Sequence, residues 1–272
     1  MLRVSALAWV AVAFAMLSGP AFGPAHAMTV QPVVVDLKPA GRGSAATISV
    51  ENSFTTPLPV ELTIQSLAFD DKGVKPTGKD PGDVLVFPPQ ALIPPGQTQS
   101  FRVQWVGDPT LAKSQHYFVT VAQLPVKLPE GQSAIQILYD FQVLVSVAAS
   151  QGEPHLSITN ASVAKIAPPK ADEQAKPADA AKPADAIKFQ PQIVVQNTGP
   201  TYGYVSRSRM TIVEKDASGK ELFKRTLAPE EIQQTLGFGL IGPETSRTLT
   251  VPVDLPSETG TVTVELSGAG TR

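Results

Sequence analysis

From Ser133 to Ala149 the chain reads SAIQILYDFQVLVSVAA, and Ile135, Ile137, Tyr139, Phe141, Val143, Val145 and Val147 share one parity. Successive side chains of a strand point to opposite faces, so this spacing predicts a single long strand with one bulky apolar face. The other face carries Gln136, Leu138, Asp140, Gln142 and Ser146, which is too polar for a strand covered on both sides. Such a strand is either the core strand of an ordinary sandwich or one that lends its apolar face to a partner.

Shorter apolar runs predict further strands at Val33–Leu37, Ala46–Glu51, Pro59–Leu67, Val84–Phe87, Thr98–Val106 and His116–Leu124. Proline and glycine punctuate them, at Lys38-Pro39-Ala40-Gly41, Asp80-Pro81-Gly82, Pro94-Pro95-Gly96 and Leu128-Pro129-Glu130-Gly131. These residues restrict or free a backbone angle where the chain must reverse, so they mark turns. Together with Ile135–Val147 the runs give seven strands over residues 28–150, the spacing of an immunoglobulin-like sandwich.

The polar stretch Ser150-Gln151-Gly152-Glu153-Pro154 suits a hinge, and the all-β texture resumes after it, over residues 151–272. Strands are predicted at His155–Asn160, Gln192–Asn197, Met210–Lys215, Thr248–Val253 and Thr261–Leu266, which make a second sandwich. Residues 167–186 interrupt it with the hexamer AKPADA twice in tandem, at 175–180 and 181–186. Proline, balanced charge and no apolar periodicity cannot offset the entropy of ordering, so a mobile loop is expected there.

Composition narrows the setting. Met1-Leu2-Arg3, the apolar run Val4–Leu17 and the small residues Ala25-His26-Ala27 read as a removable signal peptide over 1–27, and Ser18-Gly19-Pro20 stops the run short of a membrane span. No later segment approaches that length, so an exported chain without membrane insertion is expected. The absence of cysteine excludes a disulfide framework and any thiolate chemistry. A formal charge of −2 argues against a nucleic-acid partner, whose phosphates attract basic surfaces.

Catalytic patterns are sparse. Beyond residue 27 the histidines are His116 and His155, in different predicted domains and without further ligands at metal spacing, so no metal and no cofactor are expected. Ser114 is close to His116, but such proximity along a strand supplies no nucleophile, base and acid constellation. Gly237-Phe238-Gly239 reads as a loop rather than a phosphate cradle, and Asp70-Asp71-Lys72-Gly73 as a solvated turn rather than a calcium loop. The chain reads as a non-enzyme.

Phe87-Pro88-Pro89-Gln90, then Leu92-Ile93-Pro94-Pro95-Gly96, then Phe101-Arg102-Val103 resembles the signature region of the PapD-like periplasmic chaperones of fimbrial subunits. His116-Tyr117-Phe118-Val119 running into Gln123-Leu124-Pro125 is similar to the next strand of that family, which also ends at a proline. The resemblance covers residues 28–150, and the second domain only in layout.

It implies an all-β fold of two immunoglobulin-like β-sandwich domains in an L, with a long strand of the first lent to an incomplete subunit. Main-chain hydrogen bonds then satisfy the subunit's open edge while alternating apolar side chains fill its groove. By alignment the lent strand is Ile135–Val147, with Ile135, Ile137, Tyr139 and Phe141 as the inserted residues and the loop Val126–Ser133 extending the contact. The resemblance also implies a cis Phe87–Pro88 bond. Family members anchor the subunit's terminal carboxylate with an arginine on the first strand and a lysine on the lent strand. Here the matching positions, near Val33–Val35 and at Leu144, carry no positive charge. Lys38 and Arg42 are the candidate substitutes, and the alternative is that they are solvated turn charges. The family's charged network between domains lacks counterparts at Ser114 and Ala148. The implied partners are fimbrial or pilus subunits and an outer-membrane usher, in the periplasm. The competing reading is an exported immunoglobulin-like adhesion or carbohydrate-binding module, with its function in loops.

Overall fold

The computed structural model describes residues 28–70, 73–126, 137–167 and 187–268. The expected leader 1–27, the candidate Ile135, residues 127–133 of the loop before it and residues 168–186 lie outside the described residues.

The first half contains β1 (Met28–Gln31), β2 (Val34–Leu37), β3 (Ala45–Asn52), β4 (Leu58–Asp70), β5 (Gly73–Pro76), β6 (Val84–Phe87), β7 (Gln90–Ile93), β8 (Thr98–Trp105), β9 (Gln115–Gln123) and β10 (Asp140–Val147). One sheet runs β1-β3-β8-β6; the facing sheet runs β2-β10-β9-β4-β5, with β7 also on β4. The chain changes sheet between β1 and β2, at a cis Gln31–Pro32 bond, and Phe87–Pro88 is cis as well. Alternation sends Ile48, Val50, Phe101 and Val103 inward from one sheet and Val119, Val121, Val143 and Val145 from the other, all with no exposed surface. Each such side chain contributes about 1.5–3 kcal/mol by leaving water, which is what holds the two sheets face to face.

The second half contains β11 (Leu156–Ile166), β12 (Lys188–Asn197), β13 (Gly203–Tyr204), β14 (Ser208–Lys215), β15 (Glu221–Leu227), α1 (Pro229–Leu236), β16 (Leu240–Ile241), β17 (Ser246–Thr250) and β18 (Thr261–Gly268). Its sheets run β11-β12-β17 and β15-β14-β18, with the small pair β13-β16 beside them. A separate core of Leu156, Ile193, Val195, Met210, Ile212, Ile232 and Val251 fills it. Helix α1 begins at Pro229, which needs no N–H partner in the first turn, and the Glu231 carboxylate accepts from the Ala228 N–H at 3.1 Å. Ile232 plugs it into the core.

Two expectations from the sequence change. The long strand begins at Asp140 rather than Ile135 among the described residues, and Val143, Val145 and Val147 are wholly buried in the core of their own sandwich. The apolar stripe is therefore two surfaces end to end: a core face from Val143 onward, and an exposed face before it.

Candidate functional site, an open sheet edge and the joint behind it

Strand β10 pairs with β9 along its whole length, from Asp140 opposite Ala122 to Val147 opposite Gln115. On its other side β2 pairs with it in parallel over only part of that length, from Val34 opposite Leu144 to Leu37 opposite Val147. Before Leu144 no strand covers this side among the described residues. Backbone contacts fix which groups face the gap. The Gln123 N–H donates to the Tyr139 carbonyl at 2.9 Å, whereas the Leu144 and Ala148 N–H groups donate to Val33 and Leu37 at 3.0 and 2.9 Å. Odd positions therefore address β9 and even positions address β2, so Asp140 and Gln142 direct their N–H and C=O to the open side.

The side chains there are apolar and wet. Ile137 is 70% exposed, Leu138 44% and Tyr139 40%, while Phe141 is half-buried against the core. The Tyr139 ring lies 6.3 Å from that of Phe54. Unpaired edge groups beside exposed apolar side chains form a template for strand addition. Three of the candidate contact residues, Ile137, Tyr139 and Phe141, are thus brought to one edge.

Lys38 and Arg42 stand elsewhere. Both are exposed beyond the other end of β2, where the Lys38 N–H donates to the Gly43 carbonyl at 2.8 Å and Arg42 lies in the 3₁₀ turn Gly41–Ser44. Four residues of strand separate Val34 from Lys38, about 13 Å. Leu144, at the position aligned with the family's lysine, packs instead with Val34 and Ala148 against Tyr202, Tyr204 and Leu240. The joint is apolar around Leu144.

Its polar component centres on Asp36 of β2. Tyr202 and Tyr204 donate their hydroxyls to Asp36 Oδ1 at 2.7 and 2.9 Å, and Arg207 Nη2 meets Oδ2 at 2.6 Å. The Arg207 guanidinium also lies 4.6 Å from the Tyr204 ring centre. Burial first, and then the Asp36 charge, pushes both tyrosine hydroxyls well above their ordinary range. Rings continue the seam: Phe69 and Tyr202 pack edge-on against His116 at 4.8 and 5.1 Å, and Phe238 lies 5.8 Å from Tyr204. Lys113 and Glu244 form an ion pair across the same boundary.

His116 is held in this seam, with Nδ1 2.9 Å from Ser146 Oγ. Burial pushes its pKa down to about 3, against the opposing pull of Asp36. Ser114 does not meet His116; its Oγ accepts from the Ala149 and Tyr202 N–H groups at 3.1 and 3.2 Å. Both residues fasten domains together rather than forming a nucleophile and base. Among the described residues no cluster of three or more His, Asp or Glu is placed to hold a metal, and no helix is long and apolar enough to cross a membrane.

The architecture is the two-domain immunoglobulin-like fold of PapD-like fimbrial chaperones. The chain is similar to one in a chaperone–tip adhesin complex of CFA/I fimbriae biogenesis, at 16% identity and a TM-score of 0.50, over 90% of this chain and 93% of that one. It is also similar to the class 5 fimbriae chaperone CfaA, at 14% identity and a TM-score of 0.48, over 88% and 99% of the two chains. A third likeness is to a chain of the CsuC–CsuE chaperone–tip adhesion subunit complex of the archaic chaperone-usher Csu pili of Acinetobacter baumannii, at 11% identity and a TM-score of 0.46, over 88% and 97%. No protein-family model matches the chain, and no curated protein matches its sequence. At these identities the likeness is one of fold.

Proposed function

We propose that this protein is a periplasmic chaperone that captures exported fimbrial or pilus subunits by lending them the open edge of β10, and passes them to an outer-membrane usher. The observation that carries the reading is the split character of the apolar stripe: its later part, in β10, is locked in its own core, whereas Asp140 and Gln142 face no strand on their open side among the described residues and Ile137, Leu138 and Tyr139, just before β10, are exposed. A subunit lacking a strand presents the complementary need: open backbone groups along a groove that alternating apolar side chains would fill. The roles of Ile135, Ile137, Tyr139 and Phe141 as inserted residues belong to this proposal, as does the signal peptide. No covalent step is required, because exchange of one strand for another completes the transfer.

Co-expression with a strand-deficient pilin from the same genome tests it. The pair should co-elute in gel filtration, and Ile137→Asp combined with Tyr139→Asp should abolish co-elution while leaving the circular dichroism melt unchanged. Co-elution undiminished in the folded double variant would overturn the edge assignment.

A further inference from the structure

A cleft of about 370 Å³ opens where the two sandwiches meet, and its residues are not those of the open edge. Its walls include Ser66 and Phe69 of β4, Asp83 from the turn before β6, Gln115 at the start of β9, and Pro243 from the second sandwich. The volume is that of a small-molecule site, which typically runs from about 300 to 1,000 Å³.

The charge in it is one-sided. Tyr117 donates its hydroxyl to Gln115 Oε1 at 2.5 Å and lies 3.3 Å from Asp83 Oδ2. One proton cannot serve both acceptors fully, and the nearer amide oxygen takes it. Among the described residues Asp83 forms no ion pair, and no lysine or arginine lines the cleft. Burial, followed by the charges of Asp83 and Asp80, holds the Tyr117 proton on, so negative potential is felt inside. A half-buried carboxylate with no counter-charge favours a cation. A bare divalent ion would need several oxygen ligands, and this cleft supplies one carboxylate. An anion would meet Asp83 directly.

We propose that this cleft binds a primary ammonium group on a short aliphatic stem, with Asp83 as its counter-charge, Gln115 Oε1 as a second acceptor, and Phe69 and Pro243 covering the stem. Because the walls come from both sandwiches, an occupant would brace the joint. Phe69 already packs on His116 and stands directly over Gly242, where an added Cβ would come within 3.0 Å of its ring.

Trp105, whose ring lies 6.2 Å from that of Tyr117, gives a fluorescence readout. Titration with n-butylammonium chloride should give a saturable change, and n-butanol or sodium butyrate at matched ionic strength should not. Asp83→Asn should weaken the response by about tenfold or more. If that variant does not fold by circular dichroism, Gln115→Leu takes its place and should weaken binding in the same direction. No saturable response in the unaltered protein, an equal response to butanol, or undiminished binding by whichever variant folds would overturn the proposal. Subunit capture is a separate readout, so neither result decides the other.

Discussion

The hydroxyl of Tyr202 donates to Oδ1 of Asp36 across 2.7 Å, joining a strand of the first sandwich to the second. The same carboxylate holds Tyr204 and Arg207, so one side chain of β2 carries three contacts across the boundary. Asp36→Ala removes the carboxylate that accepts from both tyrosine hydroxyls and pairs with Arg207. The expected cost is about 1–3 kcal/mol in urea unfolding. Small-angle scattering should show a larger radius of gyration as the domains swing apart. An unchanged denaturation midpoint and an unchanged radius would show that the rings alone hold the joint.

Ile137 and Val143 share a strand parity yet differ completely in burial, at 70% and 0% exposed. Ile137→Asp should leave the melting curve within about 0.5 kcal/mol of the unaltered protein, the usual range for an exposed site. Subunit capture should fail, because the charge would enter an apolar groove without a partner. Val143→Asp should unfold the first sandwich outright. A melt disrupted equally by both would mean that the edge before Leu144 belongs to the folded core.

His116 makes stability depend on pH. Its folded pKa, about 3, lies below the ordinary value of 6.5 because burial disfavours the charged ring. The unfolded chain therefore binds the extra proton first. The stability is fully present above pH 6.5 and drains away as pH falls from there toward the folded value, at up to about 1.4 kcal/mol per pH unit. His116→Gln should flatten this slope below pH 6.5 in urea titrations. An identical slope in the variant would assign the acid sensitivity to other groups.

Glu214 of β14 has no exposed surface, and burial raises its pKa, with the Ser257 backbone N–H offsetting only part of that. For a carboxyl shifted upward the folded form holds its proton longer than the unfolded one. Stability is then greatest below the ordinary value of 4.5 and falls as pH rises toward the folded value. Glu214→Gln should raise the melting temperature at pH 7, with the gain shrinking as the pH is lowered toward the ordinary carboxylate range. A variant no more stable at neutral pH would show that the carboxylate is accommodated there.

Alternation of apolar and polar residues locates the strands whose inward side is buried. It places β3 and β8 within a residue or two because Ile48 and Phe101 alternate with polar neighbours, and β9 equally closely through its run of aromatic and β-branched residues from Tyr117 to Val121. It passes over β15, because Glu221–Leu227 is an exposed edge strand with only Leu227 buried, so its polarity looks like that of a loop. Helix α1 also escapes it, although Pro229 and the glutamates after it are recognisable start signals. The open edge is half legible. Parity groups Ile137 with Val143, but only the end of β2 at Val34 separates the exposed face from the core, and that is a tertiary fact. The Asp36 seam leaves no local signal, since Tyr202 and Arg207 are brought to it from the far half of the chain.

In the strand addition proposed above, β2 would also act as a stop on a measuring rod. Val33 already accepts the Leu144 N–H at 3.0 Å, so a strand arriving along β10 cannot advance past that point. The uncovered stretch of β10 before that point runs from Asp140 through Val143, four residues, or about 13 Å. In the proposed pairing the host, rather than the guest, would thereby fix the far end. A guest segment sliding toward Leu144 would run into a finished hydrogen bond, and a one-residue slip would turn its apolar side chains to the wrong face. Register in the proposed pairing would thus be dictated by a wall whose residues, Val33, Val34 and Leu144, carry no charge to read a chain terminus.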